Sequence, residues 1–336
     1  MSDEAESTEE NGNRHRFAEA ARDERPDLAL LCLLIGAEAA TVPPVGPGHR
    51  PAPSEQPEAP EAPEAPERPV QESGRGQRNA PQDGPQDGPQ DGPHGTNGVL
   101  DAEIELDRLA GLLPYSPART PEQWAEALRR LLGEEFGFGG DAADYRRLES
   151  SLLQAVLRRR RGLPILLSVV WIEVARRAGA PVYGVGLPGH FVVGFGDPSG
   201  RHALADPYGG GRELSSGDVE RLIAGAGGAG TRVPANVLQP AGPLEIVLRI
   251  LNNIRAWAAA RPEQSAVQLW ALELSLLLPH HPARLRHEHA RLLVERGEFL
   301  TGAAELDDYA AVVEPVEPSA AETVRGEARA ARARLN

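Results

Sequence analysis

The sequence predicts an α+β domain followed by an all-helical region, and three observations predict it. From Ile165 to Val174 a helical stretch is apolar except for Ser168 and Glu173. PVYGV, HFVVGF and RHALADPY then follow in close order, the last two joined by the turn sequence GDPSG. From about Gly242 to the end the pattern is helical throughout.

Composition narrows the possibilities. The chain has 336 residues, enough for two domains, with 31 prolines and 36 glycines, many of them in one block. Its net charge of −14 argues against non-specific binding to nucleic acid or to an anionic membrane face. One cysteine, Cys32, excludes an intramolecular disulfide and a cysteine-rich zinc site. No secretory h-region opens the chain, and no apolar run approaches the roughly 18 residues of a membrane span. A cytoplasmic protein is expected, with no nucleic-acid or membrane partner.

Residues 1–26 are polar and acidic and read as disordered. DLALLCLLIGAEAA at 27–40 is a helix, with Asp27 as its N-cap and Cys32 as a small core residue. Residues 41–98 hold PEAPEAPEAPE and PQDGPQDGPQDGP, repeats that lack the apolar surface needed to offset ordering entropy. They read as a disordered insertion, a spacer or a PxxP-type docking segment. VLDAEIELDRLAGLL is an amphipathic helix ending before Pro114. TPEQWAEALRRLLGEEFGF is a second, with Thr120 as N-cap and Pro121 in its first turn. DYRRLESSLLQAVLRRRR reads as a third, its basic end favoured by the helix dipole.

The central helix starts at Pro164 and stops at Gly179. A helix apolar on nearly every side belongs in the middle of a domain. GVGLPG after it is a formal GxGxxG, but it contains a proline and leads into a strand, so no nucleotide site is read there. A turn centred on Pro198 sets His190 opposite Asp206 at the open end of the hairpin. An imidazole oriented by a carboxylate is the base half of a catalytic triad. The same pair also serves as a structural tie at the end of a sheet, and the residues alone leave both readings open. His202 lies inside the returning strand as an ordinary cross-strand residue, and Gly225–Gly230 reads as a loop. In the helical region Pro279 and Pro315 close two helix pairs 36 residues apart, close to the tetratricopeptide period. His280, His281, His287 and His289 crowd one segment, but His287 and His289 do not share a helix face, and neither a metal nor a cofactor is expected.

RRGLPILLSVVWIEVARRAG, PGHFVVGF, DPYGG and EIVLRILNNIR together resemble the SirB-type family of bacterial proteins, over 27–40 and 99–330. The resemblance implies a transglutaminase-like (papain-like) core at 99–240, with the 27–40 helix belonging to it, and a tetratricopeptide-like helical domain at 241–336. In active enzymes of that superfamily a cysteine at the start of the central helix attacks an amide. A histidine that opens a strand is its base, and an aspartate on the next strand orients the histidine. His190 and Asp206 match those two residues, but the cysteine position falls at Pro164 or Ile165, neither of them a nucleophile. Ser168 lies one turn deeper, about 6 Å away by helix rise. It is the weak substitute, and otherwise bonds a carbonyl of its own helix. The missing nucleophile favours a non-catalytic protein whose helical repeats bind a protein partner. The alternative is a cysteine-independent hydrolase of amides or esters using His190 and Asp206.

Overall fold

The computed structural model describes residues 2–41, 96–114, 116, 118–227 and 238–335. The expected insertion at 41–98 lies outside these residues, apart from the helix ends that border it.

Ser2–Arg22 is a helix, α1, where disorder was expected. Its average composition is polar, yet Phe17, Ala18 and Ala21 form a buried stripe. Arg14 of α1 also reaches the buried Glu38 at 2.6 Å and Glu273 at 2.9 Å. α2, Leu28–Thr41, starts as expected, with Asp27 accepting the Leu30 N–H at 3.0 Å.

α3 spans Thr96–Gly111 and α4 Pro121–Leu128. Thr120 closes a capping box with Gln123 at the head of α4. The chain then widens into a π-helix over Arg129–Glu135. Gly133 of this segment lies against the Gly210 carbonyl, where a Cβ would stand 2.0 Å away. The expected third helix is only half formed. Two 3₁₀ turns, Ala142–Arg146 and Leu148–Ser151, precede α5, Leu153–Arg159. The buried Asp144 carboxylate accepts from the Asp141 N–H at 2.9 Å, from Ser150 at 3.1 Å and from Arg159 at 3.2 Å. Such side-chain bonds compete with the helical ladder.

α6, Pro164–Arg177, is the central helix, and every residue from Pro164 to Ala175 is buried. Its one acidic residue in that run, Glu173, is paired with Arg176 and Arg177. Gly179, at φ +82°, turns the chain into the sheet. The strands are β1 Val182–Leu187, β2 His190–Gly196, β3 His202–Asp206, β4 Arg212–Leu214 and β5 Pro240–Ala241. They form one antiparallel sheet in the order β4-β3-β2-β1-β5, and α6 packs on β1 and β2. α7, Ser216–Gly227, follows β4 and runs into the stretch expected to be a Gly-rich loop; residues 228–230 lie outside those described.

The helical region comprises α8 Pro243–Ala259, α9 Ser265–Leu277, α10 Arg284–Glu295, α11 Phe299–Val313 and α12 Pro318–Ala333. Its cores do not divide at the expected 240/241 boundary. Ile246, Ile250, Ile254 and Trp270 of α8 and α9 share one apolar cluster with Trp171, Leu166 and Phe195. A separate small cluster joins α10, α11 and α12, and it is built mostly of alanines.

Candidate functional site

His190 opens β2 directly after a two-residue turn. Leu187 pairs with His190, so Pro188 and Gly189 form the connection. Gly189 has φ +65°, and proline followed by a left-handed glycine is what a type II turn requires. The GVGLPG string is thus a hairpin corner between β1 and β2.

Asp206 closes β3. The hairpin register pairs Val193 with Ala205 and Gly196 with His202, so the turn centres on Ser199 rather than Pro198. That is a two-residue shift from the expected pairing. Strand faces alternate with a period of two, so the shift leaves both side chains on the same face. They meet diagonally, with His190 Nε2 2.9 Å from Asp206 Oδ1. The same oxygen accepts the Tyr208 N–H at 3.1 Å, as a cap on the turn Pro207–Gly209. A carboxylate can only accept, so the shared proton sits on Nε2 and Nδ1 is left as the second functional atom of the ring. The Tyr208 ring stands edge-on to His190 with centroids 5.9 Å apart, and Tyr145 stands edge-on to Tyr208 at 6.3 Å.

A cavity of about 250 Å³ opens beside this pair. The start of α6 forms one wall, through Leu163, Pro164 and Ile165. Leu187, His190 and Phe191 form the second, and Arg249, Asn252 and Asn253 of α8 the third, with Tyr145 at the rim. Burial pushes the Tyr145 phenol above its usual value of 10, and the Asp206 carboxylate adds to the shift, so the hydroxyl keeps its proton at neutral pH.

The other sequence candidates fall elsewhere. Ser168 is fully buried and is not among the residues lining the cavity. It donates to the Phe191 carbonyl of β2 at 3.3 Å, a correction to the expected bond within its own helix. Cys32 is buried in α2, and burial, reinforced by Glu173 and Asp27, pushes its thiol far above the usual range. His202 bonds the Gly200 carbonyl at 3.0 Å. His287 pairs with Glu327 of α12 at 2.9 Å, and His289 with Glu305 of α11 at 2.6 Å.

Sequence reasoning missed Tyr145, Arg249, Asn252 and Asn253. Tyr145 was hidden in a segment read as continuous helix. The Asn252–Asn253 pair did carry a signal, since two amides interrupt the apolar run of α8.

The sheet, the central helix and the histidine–aspartate pair all lie within the stretch of the chain that resembles a known family. Residues 101–252 match the family described as the transglutaminase-like superfamily. A UPF0162 protein of Xylella fastidiosa is 36% identical over 163 residues, covering 48% of this chain and 58% of that protein. A UPF0162 protein of Pseudomonas aeruginosa is 35% identical over 162 residues, with the same coverage of 48% and 58%. The chain therefore spans 58% of the length of these bacterial relatives. F-box only protein 21 of Homo sapiens is 25% identical over 171 residues, 49% of this chain and 26% of that one. A solved structure of menin aligns with 91% of this chain and 70% of its own at a TM-score of 0.38 and 11% identity. Among the described residues no helix is long and apolar enough to cross a membrane.

Proposed function

We propose that the chain is a non-catalytic transglutaminase-like protein, in which the cavity beside His190 binds a ligand without transforming it and the C-terminal helices dock a protein partner. One observation carries the reading. The intact histidine–aspartate pair stands beside the cavity, but among the described residues that line it there is no thiol and no aliphatic hydroxyl. Pro164 and Ile165 stand where the superfamily's active enzymes place their cysteine. The one hydroxyl among the described lining residues, on Tyr145, is held protonated. A base without a nucleophile completes no acyl transfer. The helix pairs α8/α9 and α10/α11, closed by Pro279 and Pro315, support the tetratricopeptide-like part of the proposal and with it the SirB-type assignment.

A second reading has one specific observation behind it. The His190–Asp206 pair is formed at 2.9 Å on the wall of an open cavity, the arrangement with which an imidazole activates water. A panel of N-acetylated amides and esters separates the two. Wild type, His190→Ala and Asp206→Asn are all expected to show no turnover above buffer. Turnover by wild type that both substitutions abolish establishes the hydrolase and removes the proposal. The partner half is tested by affinity purification of the full chain from its native lysate. A stoichiometric protein is expected, and its absence removes that half.

A further inference from the structure

The cavity beside His190 presents hydrogen-bond donors from several directions, and no carboxylate is among the described residues that line it. α6 begins there without a cap: Leu163 is the cap residue and no side chain bonds the helix end. Pro164 has no N–H to offer, so the first donors of the helix are those of Ile165 and Leu166, both buried. A buried helix start whose donors lack a cap favours a negative group in front of it.

α8 adds two further donors, and each is positioned. The Arg249 guanidinium lies flat against β1 because Gly186 has no side chain; a Cβ there would stand 2.5 Å from Arg249 Cζ. The partner of Arg249 on its own helix, Glu245, is 51% exposed, and a solvated pair of this kind is weak. The Asn252 oxygen accepts from Arg255, which Glu288 holds in turn. The amide is thereby oriented, and its NH₂ is the end left to donate. Tyr145 supplies a protonated hydroxyl at the rim. Between these groups the walls are apolar, at Leu163, Leu187 and Phe191.

We infer that the cavity binds a carboxylate carried on one small apolar residue, as at the C-terminal end of a peptide chain. The volume of about 250 Å³ admits roughly eight groups the size of a water molecule, which matches one aliphatic residue with its carboxylate. Arginine and helix-end donors recognise the carboxylate. His190 Nδ1, an acceptor while Nε2 carries the proton shared with Asp206, takes the N–H of the same residue. The inference rests on reading the cavity as a binding site, and it adds the class of ligand.

The test is calorimetric titration of the full chain with N-acetyl-leucine, N-acetyl-leucinamide and isovalerate. N-acetyl-leucine is expected to bind at least about tenfold more tightly than its amide, because charge-assisted bonds are roughly twice as strong as neutral ones. Arg249→Gln is expected to weaken the acid about tenfold. Gly186→Ala is expected to weaken it as well, because the guanidinium is displaced while its charge remains, and only the end of a flexible side chain has to move. Isovalerate lacks the N–H. Weaker binding of isovalerate assigns the site to a chain end, and equal binding assigns it to a free acid of the same chemistry. Equal affinity for acid and amide, no binding of any of the three, or an Arg249→Gln variant that binds like wild type each overturns the inference. Hydrolysis of the amide is a different result, and it would count against the non-catalytic reading rather than the ligand class.

Discussion

Asp206 does two things with one oxygen. Its Oδ1 receives the His190 ring at 2.9 Å and the Tyr208 N–H at 3.1 Å, so the carboxylate orients the imidazole and also pins the turn behind it. Removing it leaves a half-buried backbone donor without its acceptor. Asp206→Ala is expected to cost about 1–3 kcal/mol in urea melts, and His190→Ala less, because the turn keeps its cap. If the two variants cost the same, the carboxylate does not hold the turn. The pair itself was legible in the sequence even though the turn centre was misplaced, because an error of two residues preserves which face of a strand a side chain occupies. Tyr145 and Arg249 were not legible as neighbours of His190. They arrive from a 3₁₀ turn and from a helix beyond the sheet, and local periodicity carries no information about contacts of that kind.

α1 shows how few residues decide whether an element folds. Its sequence is polar enough to read as disordered, yet Phe17 is fully buried and Arg14 ties the helix to α2 and α9. Averaged composition hides a stripe of three apolar residues. Phe17→Ala is expected to cost about 3–5 kcal/mol in a thermal or urea melt, the range for emptying a buried aromatic site. A cost below about 1 kcal/mol would mean that α1 does not pack as described. α6 was legible from end to end, because an apolar run with proline at its start and glycine at its stop leaves little choice. The segment after Gly140 was not. Its helical pattern is overridden by bonds that converge on Asp144, a residue whose side chain gives no sign in the sequence of which way it turns.

Across the whole molecule the helical region is held to the rest by charge as well as by apolar packing. His289 of α10 bonds Glu305 of α11 at 2.6 Å and lies 3.9 Å from Glu273 of α9, which Arg14 of α1 also reaches. Burial alone would lower the His289 pKa, but the carboxylates of Glu273 and Glu305 outweigh it and hold the pKa above the ordinary 6.5. A raised pKa in the folded state means that the protonated form stabilises the fold. The contribution is complete below about pH 6.5 and is lost as pH climbs through the raised value. Melting temperature is therefore expected to fall over that interval, and His289→Gln to flatten this part of the profile. An unchanged profile in the variant would assign the pH dependence to other groups. The cluster joining α10 to α12 consists mostly of alanines, which bury little area per residue. Backbone amides of α11 and α12 are accordingly expected to exchange hydrogen faster than those of α6, and equal protection would count against a weaker second core.

The shared core of α6, α8 and α9 bears on where the chain can be cut. The match to the transglutaminase-like superfamily ends at residue 252, in the middle of α8. A fragment cloned to that limit would sever a helix within the main apolar cluster, lose Ile254, Ala258 and Trp270 from it, and leave the cavity wall on a frayed end. Such a fragment is expected to be recovered as aggregate. Extending it through Leu278, the last residue of that cluster, is expected to return soluble protein with a cooperative melt. The unit that can be expressed is set by the apolar cluster, and it outruns the unit that sequence similarity marks.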